Sequence, residues 1–329
     1  MMYTQYCMHQ RKAGKGMRFL WNFIKYLVLL TLLLLLGAGV YAGNTAYQQL
    51  FTQPWDKLLA IENHRNDLDT IHGLERKYGW ERVQVHSKDG TRLQGTYIEN
   101  PAGGHDTVIL LHGLYQNRTM CVPYARVYLE KGYNVLMPDI RGHGESSGST
   151  NDWGIHDVED MDSWVALLRQ KDPKASIGFH GISLGAAMSL IYAGSPQGRE
   201  MKFYVADSSY GNVLELGQEK LMNYTDDQRL LLGMEVLDPF FQASLYYHTR
   251  KTLRDVDPAS CVQRMTTPVL FLHGDVDRLI PPHIAENLLN RCTSANKKLI
   301  YFEGSGHANE IMDNPRGYAR ALGEFLESL

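Results

Sequence analysis

From residue 81 to the C-terminus, short apolar runs alternate with helical patterns, and that alternation limits the chain to very few folds. Residues 81–86 and 91–98 flank a Lys88-Asp89-Gly90 turn and read as an antiparallel hairpin. Further short runs follow at 107–111, 133–137, 175–179, 202–206, 269–272 and 298–302. Most are continuously apolar, as expected of strands covered on both faces in a parallel sheet. Helical patterns lie between them at 119–131, 156–170, 183–193, 282–292 and 315–329. Eight strands alternating with helices in this way predict a doubly wound, mostly parallel α/β sheet with right-handed crossovers.

One interval breaks the rhythm. Residues 210–256 carry no strand signal and read as three helices, at 214–222, 226–234 and 240–251, the last started by Pro239. They are expected to form a small helical cap over the carboxyl edge of the sheet, where open α/β sheets bind their ligands. Residues 43–80 read as a connecting region with one or two short helices, near 55–61 and 68–78. The sheet domain would then span 81–329 with the cap inserted at 210–256.

Ahead of this lies a different kind of sequence. Residues 1–25 hold five lysines and arginines and no acid, and residues 26–42 carry no charge at all. At about 1.5 Å per residue, the uncharged stretch spans about 25 Å, which an upstream extension through Phe19–Ile24 with Lys25 snorkelling brings to membrane thickness. Two readings stand: a retained single-pass anchor, or a signal peptide cleaved after Val40-Tyr41-Ala42. Both keep residues 1–25 in the cytoplasm and place the folded domain beyond the membrane.

The candidate chemistry starts at Gly181-Ile182-Ser183-Leu184-Gly185, a G-x-S-x-G sequence that follows an apolar run and opens a helical one. A serine on such a strained strand-to-helix turn exposes its hydroxyl, and the flanking glycines relieve the crowding. Hydroxyls are weak nucleophiles, so Ser183 needs a base and the base needs an orienting carboxylate. His273-Gly274-Asp275-Val276-Asp277 follows the seventh run and Gly304-Ser305-Gly306-His307 follows the eighth, so acid and base come in the order Ser, Asp, His. His307 is the expected base. Asp277 is the expected acid, with Asp275 as its alternative and Asp207 as a weaker third. Backbone amides of Leu184 and Leu114 are the expected oxyanion donors, with Tyr115 as a further contributor. His112 and His143 read as structural.

Together with Leu111-His112-Gly113 and the turn from Asp139 to Ser146, these motifs resemble the α/β-hydrolase superfamily, over about residues 81–329. More narrowly, the sequence around Ser183 resembles bacterial membrane-anchored or extracellular serine esterases. The resemblance implies a Ser183–Asp277–His307 triad that cleaves carboxylic esters of small molecules through an acyl-enzyme, without cofactor or metal. A peptidase, a thioesterase or a non-catalytic surface module are the rivals.

Composition adds exclusions. A net charge of −3 with no basic stripe beyond residue 25 gives no footing for nucleic acid. The four cysteines, Cys7, Cys121, Cys261 and Cys292, are too few and too far apart for a disulfide scaffold or a zinc site. A Cys261–Cys292 bridge in an exported domain stays open, as do the oligomeric state and the acyl group.

Overall fold

The structure, a computed structural model, describes residues 2–52, 56–59, 61–149, 152–222 and 227–329, with the side chains of 2–16, 52, 58 and 221 left aside. Trp55 and Asp226, at the edges of two expected helices, and the side chain of Cys7 lie outside the described residues. The chain divides into two compact units, residues 1–49 with 228–250, and residues 50–227 with 251–329.

The larger unit is built on one eight-stranded sheet, as expected. Its strands are β1 (Glu81–His86), β2 (Arg92–Ile98), β3 (Asp106–Leu111), β4 (Asn134–Pro138), β5 (Ser176–Ile182), β6 (Tyr204–Asp207), β7 (Val269–Gly274) and β8 (Lys297–Phe302). They lie in the order β1-β2-β4-β3-β5-β6-β7-β8. Only β1 and β2 run antiparallel to their neighbours; every pairing from β4 to β8 is parallel. The central strands β3 to β7 are buried almost end to end, which is why they read as unbroken apolar runs rather than alternating ones. Val108, Leu110, Val205, Leu270 and Leu272 from three strands meet in one core with Tyr124, Phe203, Tyr318 and Leu322.

Helices cover the sheet: α4 (Val122–Glu130), α5 (Asp157–Lys171), α6 (Leu184–Ala193), α10 (His283–Arg291) and α12 (Pro315–Glu327), with the short α9 (Pro258–Cys261) and α11 (Glu310–Asp313). Ahead of the sheet come α1 (Met2–Thr52), α2 (Asp56–Leu59) and α3 (Asp69–Tyr78). The last of these is tied in by charge. Glu75 of α3 is buried and accepts from Arg118 Nη2 at 3.1 Å, while Arg118 also pairs with Asp139 and, at 2.7 Å, with Glu145. An unpaired guanidinium in that position would be severely destabilising, and three acids from α3 and from the turn after β4 surround it.

The interval expected to hold three helices holds two, α7 (Val213–Met222) and α8 (Gln228–Thr249). Pro239 does not start a helix; α8 runs through it. The ring removes one amide and frees the carbonyl a turn earlier, and α8 carries that break without ending. α7 belongs to the larger unit and α8 to the smaller one, together with most of α1. Helix α1 contains a stretch, Met17–Phe51, long and apolar enough to cross a membrane. Cys121, Cys261 and Cys292 are buried free thiols, so no bridge joins Cys261 to Cys292.

Candidate active site

Register brings the chemistry-bearing loops to one edge. Leu111 pairs with Gly181, Ile182 with Asp207, Asp207 with Leu272, and Gly274 with Phe302, so β3, β5, β6, β7 and β8 end side by side. β3 and β5 are neighbours although β4 intervenes in sequence; this is the point where the winding reverses, and crevices form there.

Ser183 sits at that point with φ 55° and ψ −112°, a conformation an L-residue adopts only when its surroundings enforce it. The two glycines of the motif are what the turn requires. A Cβ on Gly181 would lie 2.0 Å from the Gly185 carbonyl oxygen, and one on Gly185 would lie 2.3 Å from the Leu111 carbonyl oxygen. The Ser183 amide is held by the Asp207 carbonyl at 2.8 Å.

From Ser183 a hydrogen-bonded chain runs inward. The serine hydroxyl donates to His307 Nε2 at 2.8 Å, and His307 Nδ1 donates to Asp277 Oδ2 at 2.7 Å. That order fixes the neutral tautomer of His307 with its proton on Nδ1. Asp277 is buried and its other oxygen accepts from the Leu279 and Ile280 amides, both at 2.8 Å. Burial works to raise its pKa, yet hydrogen bonds from His273 and His307 outweigh that and hold the carboxyl well below its usual range. His273 Nε2 donates to the Ile280 carbonyl at 2.8 Å and stands 3.4 Å from Asp277. Asp275 points elsewhere: it is exposed and accepts from the Gly304 amide at 2.7 Å, pinning the β7 loop to the β8 loop.

Asp207 is not on the imidazole either. Its carboxyl accepts from Tyr318 Oη at 2.7 Å, and its pKa is raised by burial first and by nearby Glu310 second. Since the one Tyr318 hydroxyl proton goes to Asp207, His180 Nε2 must donate to Tyr318 at 3.0 Å, and His180 Nδ1 must accept from Tyr128 at 3.1 Å. His180 is therefore neutral, and burial pushes its pKa down to about 3. Beside it, Ser208 accepts from the Ala308 amide at 3.2 Å and donates to Glu310 at 2.8 Å. Ser208 and Ala308 both have positive φ, 56° and 55°, so this bond joins two strained residues and braces the loop that carries His307.

The β3 loop forms the other wall. A Cβ on Gly113 would lie 3.6 Å from Ser183 Cβ, which shows how closely the loop passes the serine. His112 donates from Nδ1 to the Gly113 carbonyl at 2.8 Å and accepts from the Ile140 amide at 3.0 Å. His143 accepts from the Tyr115 amide at 3.0 Å and donates to the Arg141 carbonyl at 2.9 Å. Burial keeps both imidazoles neutral, with pKa values lowered to about 4 and about 3. The Tyr115 amide is thus committed to His143. Among the described residues the Leu114 amide has no acceptor in the protein, and Leu184 opens α6, where the first amides lack an intrahelical partner. The segment after α2 holds this loop from outside, with the His64 amide on the Tyr115 carbonyl at 2.9 Å.

Sequence reasoning named Ser183, His307 and Asp277, which the fold brings within hydrogen-bonding reach. It read His143 as structural, and His143 grips the Tyr115 amide; it missed two further supports, His273 beside Asp277 and the Ser208–Glu310 brace. Only His273 left a readable sign, being part of the His-Gly-Asp-x-Asp run.

Comparison with known proteins agrees with this architecture. Residues 106–242 match the family described as alpha/beta hydrolase fold, and residues 219–312 match the family described as serine aminopeptidase, S33. The chain belongs to the α/β-hydrolase superfamily. It is 29% identical over 246 residues to the uncharacterized protein YqkD of Bacillus subtilis, covering 74% of this chain and 78% of that one. To protein bem46 of Schizosaccharomyces pombe it is 23% identical over 326 residues, covering 95% and 96%. Among solved structures, the Pyrococcus furiosus esterase Pf2001 superposes with a TM-score of 0.62 at 24% identity, over 77% of this chain and 95% of that one. Est1E of Butyrivibrio proteoclasticus, solved with ferulic acid bound, gives a TM-score of 0.58 at 18% identity, over 75% and 98%. The family matches support a hydrolase.

Proposed function

We propose that this protein is a serine hydrolase that cleaves carboxylic esters through an acyl-enzyme on Ser183. The observation that carries the reading is the unbroken chain Ser183 Oγ, His307 and Asp277, at 2.8 and 2.7 Å, on a strained serine. As Ser183 Oγ attacks the ester carbonyl, its proton passes to His307 Nε2. Asp277 then faces an imidazolium, and its low pKa keeps it ionised to stabilise that charge. The amides of Leu114 and Leu184 receive the negative charge on the former carbonyl oxygen. Collapse of the tetrahedral intermediate expels the alcohol, which takes the proton from His307. Water repeats the sequence on the acyl-enzyme, releasing the acid and restoring Ser183.

The ester assignment is supported by the esterases among the structural relatives. A second reading, aminopeptidase, is favoured by the serine aminopeptidase match over residues 219–312. A panel of p-nitrophenyl esters, acyl thioesters and aminoacyl p-nitroanilides separates them. The ester reading requires esters to turn over fastest; faster anilide cleavage sinks it.

Helix α1 acts as a retained membrane anchor, with residues 1–25 in the cytoplasm and the hydrolase domain on the other side. The asymmetric basic charge supports the orientation. Continuity supports retention: α1 is one helix through Ala42, and cleavage there would separate Gly39 from Gly43, which pack on one residue, Phe240. Intact mass of the membrane-fraction protein tests this, since a mature chain starting at Gly43 rules the anchor out.

A further inference from the structure

We propose that the exposed apolar stripe of α8 dips into the same bilayer that α1 crosses, giving the protein a second, shallow membrane contact whose partner is the lipid itself. This rests on the anchor reading given above.

The stripe is regular. Leu232, Val236, Pro239, Ala243 and Tyr246 recur at helical spacing on one side of α8, and all five are exposed. Leu232 is 60% and Val236 61% exposed, and Tyr247 beside them is 71% exposed. The opposite side is buried at Phe241 and Leu245. A helix that buries one apolar face and leaves a second apolar face open is unusual in water, where such a surface invites association.

What says lipid is the helix against which α8 packs. α1 and α8 belong to one compact unit. Gly39 and Gly43 of α1 are spaced so that both lie under Phe240; a Cβ on Gly39 would strike its ring at 2.4 Å, and a Cβ on Gly43 would strike its backbone carbonyl carbon at 2.4 Å. Such close approach through small residues spaced by four is how helices pack within and beside membranes. The contact continues upward: Ser244 donates to Asn44 at 3.2 Å, His248 pairs with Asn44 at 3.0 Å, and the His248 ring stacks on Tyr47 with centroids 4.6 Å apart.

These pairs advance together along both chains, from 39 with 240 to 47 with 248, so the two helices run in the same direction. The turns of α8 before Phe240, which carry Leu230, Leu232 and Val236, therefore extend from the contact back toward the uncharged stretch of α1. Polar pairs sit at the far end, and the apolar stripe, flanked by exposed Arg229 and Glu235, at the bilayer end. Arg250 follows the far end of the helix, with Tyr246 and Tyr247 near it, residue types suited to a headgroup layer. An amphipathic helix seated at the interface beside an anchor meets all of these conditions.

The test uses the full chain in nanodiscs of phosphatidylcholine and phosphatidylglycerol. Spin labels are placed singly by Leu33→Cys, Leu232→Cys, Val236→Cys and Lys298→Cys on a Cys7→Ser background, the other three cysteines being buried. Retained ester turnover checks that each variant is folded. Collision with oxygen reports lipid, and collision with a soluble nickel chelate reports water. The expected result is that positions 232 and 236 behave like 33, with an oxygen-to-nickel ratio several-fold above that at 298. Lipid contact at 33 with water contact at 232 and 236 overturns the stripe alone. Water contact at 33 overturns the anchor and the stripe with it. Spin–spin broadening at 236 with neither probe admitted overturns the lipid in favour of a second copy of the chain.

Discussion

In the larger unit the polar side chains go inside, whereas in the α1–α8 unit apolar ones stay outside. His112, His143, His180, Arg118 and Asp207 are all buried beneath or beside the Ser183 edge, each held by hydrogen bonds or ion pairs to its neighbours. Leu232, Val236 and the leucines of α1 from Leu27 to Leu36 are exposed by half or more, apart from Leu29 at 49%. Buried polar networks hold a site rigid when every member is satisfied. Exposed apolar helices make sense only against a different solvent. The proposed reaction site and the proposed lipid-facing surface thus lie on different units, and each can be altered separately.

The largest expected effect is on chemistry alone. Ser183→Ala removes the nucleophile and should lower p-nitrophenyl ester turnover by about 10⁴-fold or more, leaving membrane partition unchanged. Loss of both would mean that the serine is structural. Asp277→Asn should cost about 10³- to 10⁴-fold, because the imidazole loses its oriented tautomer and its counter-charge. Asp275→Asn, whose side chain only pins two loops, should cost less than about tenfold by comparison. A reversed ranking moves the acid role to Asp275.

Acid should separate the units by stability. The three buried histidines have pKa values lowered to about 4, 3 and 3, against about 6.5 in an unfolded chain. Below pH 6.5 the unfolded chain therefore binds protons that the folded unit refuses, and stability falls as pH drops. From pH 7.5 to 5 each histidine should remove about 2 kcal/mol, and the three together about 6 kcal/mol. Thermal unfolding followed across that range checks the slope; a flat profile contradicts neutral burial. The smallest effect is expected from Gly43→Leu, which strikes the Phe240 backbone. It should raise protease cleavage within α8 several-fold while hydrolysis of a soluble ester stays within about twofold.

The contrast also explains what could be read from the residues. All eight strands were legible to within two or three residues: the central ones because a strand buried on both faces must be apolar throughout, and the largely exposed edge strands β1 and β8 because turn residues bound their runs. The Ser183 turn was legible because Gly181 and Gly185 answer to backbone collisions only a few residues away in the chain or across one strand pair. The α8 helix was misread at Pro239, since local rules end a helix there and only packing can carry it on. Ser208 and Glu310 were silent because their partners lie on other loops; nothing nearby in sequence marks a serine that will hold up an alanine amide 100 residues away. Gly39 and Gly43 were visible as glycines, but their meaning depends on Phe240, about 200 residues later.

The central claim is that Ser183 is an activated nucleophile, and covalent labelling tests it most directly. The full-length protein in nanodiscs is treated with a fluorophosphonate probe, digested, and the adduct is located by mass spectrometry. The account requires one adduct, on Ser183, absent in Ser183→Ala and much slowed in Asp277→Asn. An unlabelled Ser183, or undiminished ester hydrolysis by Ser183→Ala, contradicts it.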